Sequence, residues 1–262
     1  MVSAIYIIAI GLGTAFLLGL LRDEWRSAAY GLTHMALAAM SLISAAWVWH
    51  LAQPGALPVE IFTAGAKPPF SINLRLGLAE AVLTLLVNLT GLLSATYLRD
   101  TMFKQGRRAM AVLLIFTMAV CGIVMTRDLF NLFVFFELVA IATGGLILLS
   151  RDKHALGAGF KFLVASQVIT ILLLLGIIFS YHATGTLNID GMAEARAELL
   201  GVAPLAFFLM LIAVIAEIKP FPANGWALDI YESAHPAFSA MVSAAAGSAS
   251  LFAVDKLLLI GG

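Results

Sequence analysis

A single glutamate lies near the middle of an apolar stretch that is long enough to cross a lipid bilayer. Glu137 is surrounded by phenylalanine and leucine within residues 127–150. A carboxylate at that depth is costly unless it is paired, hydrated or protonated. Such a group can exchange a proton or an ion when a cation approaches it. The alternative interpretation is a permanently protonated glutamate that only joins neighbouring helices.

Other ionisable residues also fall inside apolar segments, and acid and base alternate along the chain. They are Glu80, Lys161, Glu217 and Lys219, together with His34 and the pair Asp255-Lys256. A line of coupled charges is what a proton relay needs, because each protonation state depends on its neighbours. Simpler interpretations stay open: Lys161 can extend to the membrane surface, and His34 and Glu80 can be structural. For Asp255 and Lys256, close to one membrane face, we expect interfacial anchoring rather than transport.

A run of helix-breaking residues follows Lys219 inside a segment that is otherwise apolar. Pro220, Pro222 and Gly225 should interrupt a helix within the bilayer. Irregular backbone at that depth is tolerated only inside protein or beside a hydrated cavity. Transporters place ion sites at discontinuous helices, because freed carbonyls and helix ends supply polar groups there. The alternative is a simple proline kink in which Lys219 reaches towards the surface.

The composition predicts an all-α polytopic membrane protein that forms a single integral membrane domain over residues 1–262. Of its 262 residues, 62% are hydrophobic and only 11% are charged, against about 25% charged residues in soluble domains. The zero net charge gives no indication of a nucleic-acid partner. Cys121 is the only cysteine, and no cluster of Cys or His suggests a metal site, so we expect no cofactor.

Hydropathy predicts eight spans, numbered 1 to 8 here, of which the seventh is discontinuous. They cover residues 2–21, 28–51, 76–98, 108–126, 128–150, 155–182, a segment that starts near 203 and breaks at 220–225, and 236–260. Odd-numbered loops hold eight basic residues and even-numbered loops hold four. This bias places the odd-numbered loops in the cytoplasm and both termini on the other side of a prokaryotic-type plasma membrane.

Several motifs, in order over nearly the whole chain, resemble one family. Residues 128–138, Asp-Leu-Phe-Asn-Leu-Phe-Val-Phe-Phe-Glu-Leu, resemble the helix-5 motif of the antiporter-like subunits of respiratory complex I, Mrp-type cation/proton antiporters and membrane-bound hydrogenases. Lys161-Phe162 resembles the Lys-Tyr pair that opens the next helix. Residues 181–188 are similar to the family's Tyr-Gly-x-Thr-Gly-Thr-Leu-Asn segment, which follows that helix. Residues 226–232 are similar to its Trp-x-Pro-Asp-Val-Tyr-Glu/Gln segment, and residues 68–73 resemble the loop before helix 3.

The resemblance implies a role for three residues. In that family a glutamate of helix 5 and a lysine of helix 7 drive proton movement, and a lysine of helix 6 links to them. By resemblance these are Glu137, Lys219 and Lys161. The family's helix-7 lysine falls on Glu217, however, so Lys219 takes the role only if the break is two residues shorter. We therefore keep both as candidates. The secondary candidates are Glu80, Asn224, Asp229, His235 and Ser248, of which Ser248 stands where the family has a helix-8 lysine.

The resemblance also implies how the chain is organised. The family has about fourteen helices in two inverted halves. This chain is expected to supply spans 1–3 at 1–98 and the first five-span repeat, spans 4–8, at 108–260. We expect the polar edge formed by Glu217, Asn224, Asp229 and Ser248 to face outwards and to need a cover.

The sequence therefore predicts a membrane-arm subunit with one proton or Na⁺ half-channel, in a redox-driven pump or an Mrp-type antiporter complex. Its expected partners are the lipid bilayer and other membrane subunits, one of which supplies the second half-channel. The alternative is a structural scaffold subunit whose pumping chemistry has degenerated. A free-standing transporter of a small solute has no substrate-specific feature in its favour.

Overall fold

The computed structural model describes residues 2–63, 65–68, 71–148, 153–194 and 203–261. These residues form an α-helical bundle with one small antiparallel sheet. The elements are α1 (Ile5–Leu20), α2 (Arg26–Leu51), β1 (Val59–Phe62), β2 (Asn73–Leu76), α3 (Leu78–Tyr97), α4 (Arg99–Gln105), α5 (Arg107–Met125), α6 (Leu129–Leu148), α7 (Lys153–Thr184), α8 (Ile189–Glu194), α9 (Ala203–Ile218), α10 (Gly225–Ser233), α11 (Pro236–Ala240), a π-helical segment (Met241–Ala246) and α12 (Gly247–Gly261).

The helices agree with the predicted all-α membrane architecture. Six helical segments of the described chain are long and apolar enough to cross a membrane, and two shorter apolar helices accompany them, Ile5–Leu20 and Pro204–Ile218. The last of the six runs through α11, the π-helical segment and α12. Long apolar helices form here because a bilayer offers no water to the backbone, so each segment must satisfy its own N–H and C=O groups.

Helix α5 lies at the centre of the bundle. Every residue from Phe116 to Met125 is buried, and α5 packs against α1, α3 and α6. Small residues allow these close approaches. At Gly122, a Cβ atom would overlap the Phe135 ring of α6, so only glycine fits there.

The connections between helices fall into two groups, one at each end of the bundle. At one end, Arg107 Nε lies 2.8 Å from Asp23 Oδ1, and Arg26 Nη1 donates to the Phe103 carbonyl at 2.9 Å. The hydrogen bond and the charge of Arg107 hold the pKa of Asp23 below its usual range. Odd-numbered loops 1 and 3 thus meet at one end, as the alternation of spans requires.

At the other end, three connections are joined by backbone hydrogen bonds around a β-hairpin. Strands β1 and β2 pair in antiparallel register, with Val59 opposite Leu76. Arg127 N donates to the Asn73 carbonyl at 3.0 Å, and Ile189 N donates to the Arg127 carbonyl at 2.9 Å. The hairpin, the α5–α6 turn and the α7–α8 turn therefore form one hydrogen-bonded cap, where hydropathy predicts only connections between spans.

Lys256 corrects the expectation of an interfacial anchor. It is 1% exposed, and its Nζ donates to the carbonyl oxygens of Ile123, Val124 and Thr126 at 2.8, 2.5 and 2.8 Å. The last carbonyls of a helix have no partner within it, so Lys256 caps the C-terminal end of α5. The anchoring prediction was wrong for Lys256, because the end of α5 turns towards α12 and meets its side chain.

Glu80 and His34 have structural contacts. Glu80 Oε2 accepts a hydrogen bond from the Gly77 amide at 3.0 Å and so caps the N-terminal end of α3. His34 Nδ1 lies 3.0 Å from the Tyr30 carbonyl one turn earlier, and its Nε2 lies 3.4 Å from Thr96 Oγ1. For these two residues the contacts favour the structural interpretation that the sequence left open.

Candidate functional site

Asp128 fixes the start of the helix that carries Glu137. Its Oδ1 accepts the Asn131 amide hydrogen bond at 2.8 Å, and its own amide donates to Thr126 Oγ1 at 3.2 Å. A side-chain oxygen that accepts from an amide of the first turn is the usual N-terminal cap of a helix. The motif that begins at Asp128 thus sets the register of α6.

Glu137 binds a neutral partner on α7. Its Oε2 accepts a hydrogen bond from Gln167 Nε2 at 2.7 Å. Glu137 is half-buried and Gln167 is exposed on the surface of the bundle. In the described part of the chain, no ion pair joins Glu137 to a lysine. The glutamate is therefore held in place by an amide and remains available to a cation.

Lys219 lies at the end of α9, where the helix stops. Its backbone has φ of +63°, in the left-handed region that side chains other than glycine rarely adopt. This turn folds the side chain back, so that Nζ donates to the Glu217 carbonyl at 2.8 Å and lies 3.9 Å from Glu217 Oε2. Nζ also lies 5.6 Å from the ring centroid of Trp226, a cation–π contact.

Glu217 and Lys219 are both inside the bundle. Their side chains are 9% and 5% exposed. The expectation that Glu217 would belong to an outward polar edge was therefore wrong. The reason is geometric: α9 continues to Ile218 and directs Glu217 towards α7, and the chain leaves the helix only after it. Of that expected edge, Ser248 is exposed, and Asn224 and Asp229 are half-buried.

Lys161 pairs with a carboxylate of the segment that follows the break. Its Nζ lies 2.7 Å from Asp229 Oδ2 on α10, and its side chain is 66% exposed. The pair lines a cavity of about 500 Å³ together with His154, Gly157, Ala158, Glu232 and Ser233. Lys161 thus joins α7 to α10 through an exposed ion pair, whose worth in stability is small.

The remaining secondary candidates have backbone or surface positions. The Asn224 carbonyl accepts the Ala227 amide at 2.9 Å at the start of α10. His235 Nδ1 accepts the Ala237 amide at 3.4 Å and caps α11. Ser248 is exposed on α12. Glu80 lies at the start of α3, in the capping bond with Gly77.

Two residues that the sequence analysis did not single out belong to the site. Gln167 is the partner of Glu137, and Ser166 is a fully buried hydroxyl next to it on α7. Among the described residues, Ser166 Oγ and Glu217 Oε1 are both buried and without a hydrogen-bond partner. A signal was present, since Ser166-Gln167 is a polar pair within an apolar helix. A search limited to ionisable residues passes over it.

Comparisons with known proteins identify the family of the chain. The family model described as NADH:quinone oxidoreductase/Mrp antiporter, TM, matches residues 126–260. A Na(+)/H(+) antiporter subunit of Bacillus subtilis is 29% identical over 218 residues, which cover 79% of this chain and 44% of that protein. NADH-quinone oxidoreductase subunit N of Desulforudis audaxviator is 27% identical over 209 residues, which cover 77% of this chain and 41% of the relative.

A solved structure shows the same fold. It is that of the membrane-bound sulfane sulfur reductase, an archaeal respiratory membrane complex, and one of its chains superposes with a TM-score of 0.89 at 28% identity. The match covers 96% of this chain and 52% of that one. The chain thus spans about half the length of its structural relative, and less than half of the two curated relatives above. On these matches, the chain belongs to the NADH:quinone oxidoreductase/Mrp antiporter transmembrane family.

Proposed function

We propose that this chain carries one half-channel for protons or Na⁺ in a larger ion-translocating membrane complex. The observation that carries the proposal is the buried pair of Glu217 and Lys219 at the end of α9. A buried ion pair is weak evidence for stability, because the desolvation of both charges can exceed their attraction. Ionisable groups inside a membrane are, by contrast, typical of ion pathways.

The contacts suggest an order for the path. Lys161 and Asp229 line the open cavity and would form its mouth. Glu137, beside Gln167, would bind the cation, and Lys219 would supply the positive charge that is displaced as the cation arrives. Because opposite charges attract strongly at low dielectric, a cation at Glu137 weakens the hold of the carboxylates on Lys219. The charge can then move along the site in steps.

The polar surface near Glu137 supports a larger assembly. Gln167 is exposed and Glu137 is half-buried. A polar group that contacts hydrocarbon without a hydrogen-bond partner costs several kcal/mol. Further helices should therefore cover this face. They can belong to a longer polypeptide or to a neighbouring subunit, and they would supply the second half-channel. The relatives named above are themselves subunits of an antiporter and of a quinone oxidoreductase.

The basic residues suggest how the chain is oriented. Arg26 and Arg107 lie at the end of the bundle where loops 1 and 3 meet. The excess of Lys and Arg in cytoplasmic loops assigns this end to the cytoplasm, and both ends of the chain then lie on the opposite side. Labelling of single cysteines placed at Asp23 and at Glu60 would test the assignment, since only one of them should react from each side.

A structural scaffold is the competing function, and Ser248 favours it. This exposed serine stands where the resemblance places a lysine, so one charge of a complete relay is missing. The retained charges Glu137, Lys161 and Lys219 disfavour a scaffold, because a purely structural bundle gains nothing from keeping ionisable groups in its apolar segments.

Reconstitution tests the proposal. The purified complex in liposomes should translocate protons or Na⁺, whereas this chain alone should show no flux, because its polar path is open on one side. A chain that translocates ions by itself would contradict the half-channel. A complex in which charge-neutral replacement of the site residues leaves the flux unchanged would establish the scaffold instead.

A further inference from the structure

We propose that Arg127 and Lys256 form a positively charged barrier that closes the capped end of the bundle to cations. The capped end is the end with the β-hairpin. It lies opposite the cavity of Lys161 and Asp229, because α7 carries Lys161 near its start and reaches the cap where it ends. The inference rests on the proposed function in one respect: the barrier leaves the ion path of this chain open at one end only. The barrier itself is measurable as a passive leak, without driven transport.

The capped end carries an open cavity with an acidic lining. The cavity has a volume of about 600 Å³, and its ionisable lining residues are Glu60, Asp190, Glu194 and Lys67. Three acids against one base attract cations to this end. Asp190 connects the cavity with the buried interior, because its Oδ2 lies 3.8 Å from Arg127 Nε.

Arg127 lies behind Asp190, inside the bundle. Its side chain is 6% exposed, whereas that of Asp190 is 38% exposed. Among the described residues, Arg127 Nε has no hydrogen-bond partner, and 3.8 Å is long for a charge-assisted bond, which is usually 2.7–2.9 Å. The guanidinium is therefore a buried cation whose counterion is loose and faces the cavity.

Backbone hydrogen bonds hold Arg127 at the junction of the cap. Its amide donates to the Asn73 carbonyl at 3.0 Å. Its own carbonyl accepts from the Ile189 amide at 2.9 Å and from Asn188 Nδ2 at 3.3 Å. The hairpin and the α7–α8 turn thus both bind this one residue of the α5–α6 turn, and its buried charge has a fixed place between them.

Lys256 brings a second cation to the same place. Its Nζ donates to the carbonyl of Thr126, the residue before Arg127, and to those of Ile123 and Val124, at distances of 2.5–2.8 Å. The residue is 1% exposed. In the described part of the chain, no ion pair joins it to a carboxylate. Two buried cations therefore meet at the end of α5.

The carbonyls that Lys256 binds are of the kind that attract cations in membrane proteins. Carbonyl oxygens at the C-terminal end of a helix carry partial negative charge, and transporters use such ends to coordinate Na⁺ or protons. At the end of α5 the ammonium group fills this position itself. A mobile cation is thus excluded from the oxygens that would otherwise receive it.

The acids inside this end do not balance the two cations. Among the described residues, Glu80 at the start of α3 is the buried carboxylate of this end, and it accepts from the Gly77 amide at 3.0 Å. Strand β2, which precedes α3, is bridged to the end of α5 through Leu74 and Thr126. One buried acid therefore stands against two buried bases, and Asp190 lies farther out, in the cavity.

Polar side chains continue from this end into the bundle. Glu80, Thr84 and Asn88 follow each other at intervals of four residues on the buried face of α3. Asn88 Oδ1 accepts from Cys121 Sγ on α5 at 3.3 Å, near the middle of both helices. Such groups ease the passage of water and protons, which hydrocarbon excludes. A polar end of this kind needs a barrier if the path is to stay closed there.

A purely structural cap does not require these charges. Neutral donors also satisfy the last carbonyls of a helix, and a buried charge without a close counterion is costly. For Arg127 a structural role explains less, because its Nε has no acceptor among the described residues. Positive side chains are, by contrast, a known means of excluding protons and other cations from a membrane path.

Passive proton leak through the full chain in liposomes tests the barrier. With a K⁺ diffusion potential and a pH indicator inside the vesicles, the wild type should be tight. Arg127→Gln should raise the leak by about 10- to 1000-fold, the range over which charge changes the local concentration of an ion. Arg127→Lys keeps the charge and should stay tight. The control Arg75→Gln removes a half-buried positive charge from β2 and should also stay tight.

The outcomes separate a charged barrier from a steric plug. Tight vesicles with Arg127→Gln would overturn the inference, and so would an equal leak in Arg127→Lys. A leak that admits chloride as well as protons would indicate a steric plug and would also overturn it. Should Arg127→Gln fail to insert, Lys256→Met against Lys256→Arg repeats the comparison at the second cation. The proposed function is judged separately, by the flux of the complex with Glu137→Gln.

Discussion

Replacement of Lys256 by methionine tests the cap on α5. The ammonium donates to three carbonyl oxygens, those of Ile123, Val124 and Thr126, at 2.5–2.8 Å. Methionine has a similar length and keeps the apolar stem, so packing changes little. The variant therefore isolates the loss of the donors, and the carbonyls at the end of the central helix are left buried without them.

The expected loss of stability follows from two opposing contributions. Each carbonyl left without a donor costs about 1–3 kcal/mol, or about 3–9 kcal/mol for three. The variant no longer buries a charge, and the effective penalty for an ion is several kcal/mol. With about 6 kcal/mol for the three carbonyls and about 3 kcal/mol for the ion, the net destabilisation is about 3 kcal/mol. At about 2–4 °C for each kcal/mol, the melting temperature should fall by about 6–12 °C.

Thermal unfolding of the chain in detergent micelles provides the assay. Asp255→Asn is the matched control, because Asp255 is the adjacent residue and is exposed on α12, and surface replacements usually stay within about 0.5 kcal/mol. Lys256→Arg keeps the charge and the donors and should lose less than Lys256→Met. A Lys256→Met variant that is as stable as Asp255→Asn would refute the cap and restore the interfacial interpretation.

Two further predictions concern packing and surface charge. Gly176→Ala should destabilise the chain by about 1–3 kcal/mol, because the new Cβ would lie 2.5 Å from Met210 Cγ and 2.8 Å from a backbone carbonyl of α9. The control Gly157→Ala on the same helix meets nothing within 4 Å and should stabilise the chain by up to about 1 kcal/mol. Equal effects of the two replacements in thermal unfolding would refute the close approach at Gly176. Arg107→Gln should raise the pKa of Asp23 towards its ordinary value of 3.8, and the native pair should lose its contribution as the pH falls through the lowered pKa. A ¹³C NMR titration that shows no change at Asp23 would exclude the pair.

The positions of the spanning helices could be predicted because the bilayer constrains each one separately. Predicted span 8 at 236–260, for example, corresponds to Pro236–Gly261. The π-helical segment Met241–Ala246 within it was not predicted, because its hydrogen bonds depend on neighbours that hydropathy does not describe. The same holds for the short helices α4 and α8 and for the β-hairpin, which form through contacts between distant loops.

The candidate site was predictable in its charges and not in its contacts. Glu137, Glu217 and Lys219 were evident as ionisable residues in apolar segments. The direction of the Lys219 side chain depends on its own backbone, whose φ of +63° cannot be inferred from a lysine before proline. Gln167 was missed because an amide carries no charge, although it makes the hydrogen bond that holds Glu137. The role of Glu137 and Lys219 as the pair that drives proton movement, implied by resemblance, stays a prediction.

The residues that form the polar face differ in part from those that the sequence predicted. Glu217 is inside the bundle, so it does not contribute to an exposed edge. Ser248 on α12 is exposed, as expected, and so is Gln167 on α7, which was not predicted. The proposed cover would therefore lie over α12 and over the α7 face beside Glu137 rather than over the end of α9.

The most direct test of the central claim is ion flux through the assembled complex with Glu137→Gln. Glutamine preserves shape and the contact with Gln167 and removes only the titratable group, whereas alanine would also leave a cavity. Glu80→Gln is the matched control, because Glu80 is a buried carboxylate whose contact is the Gly77 amide. We predict that Glu137→Gln assembles and has lost its flux, while Glu80→Gln retains it. Normal flux with glutamine at position 137 would contradict the account.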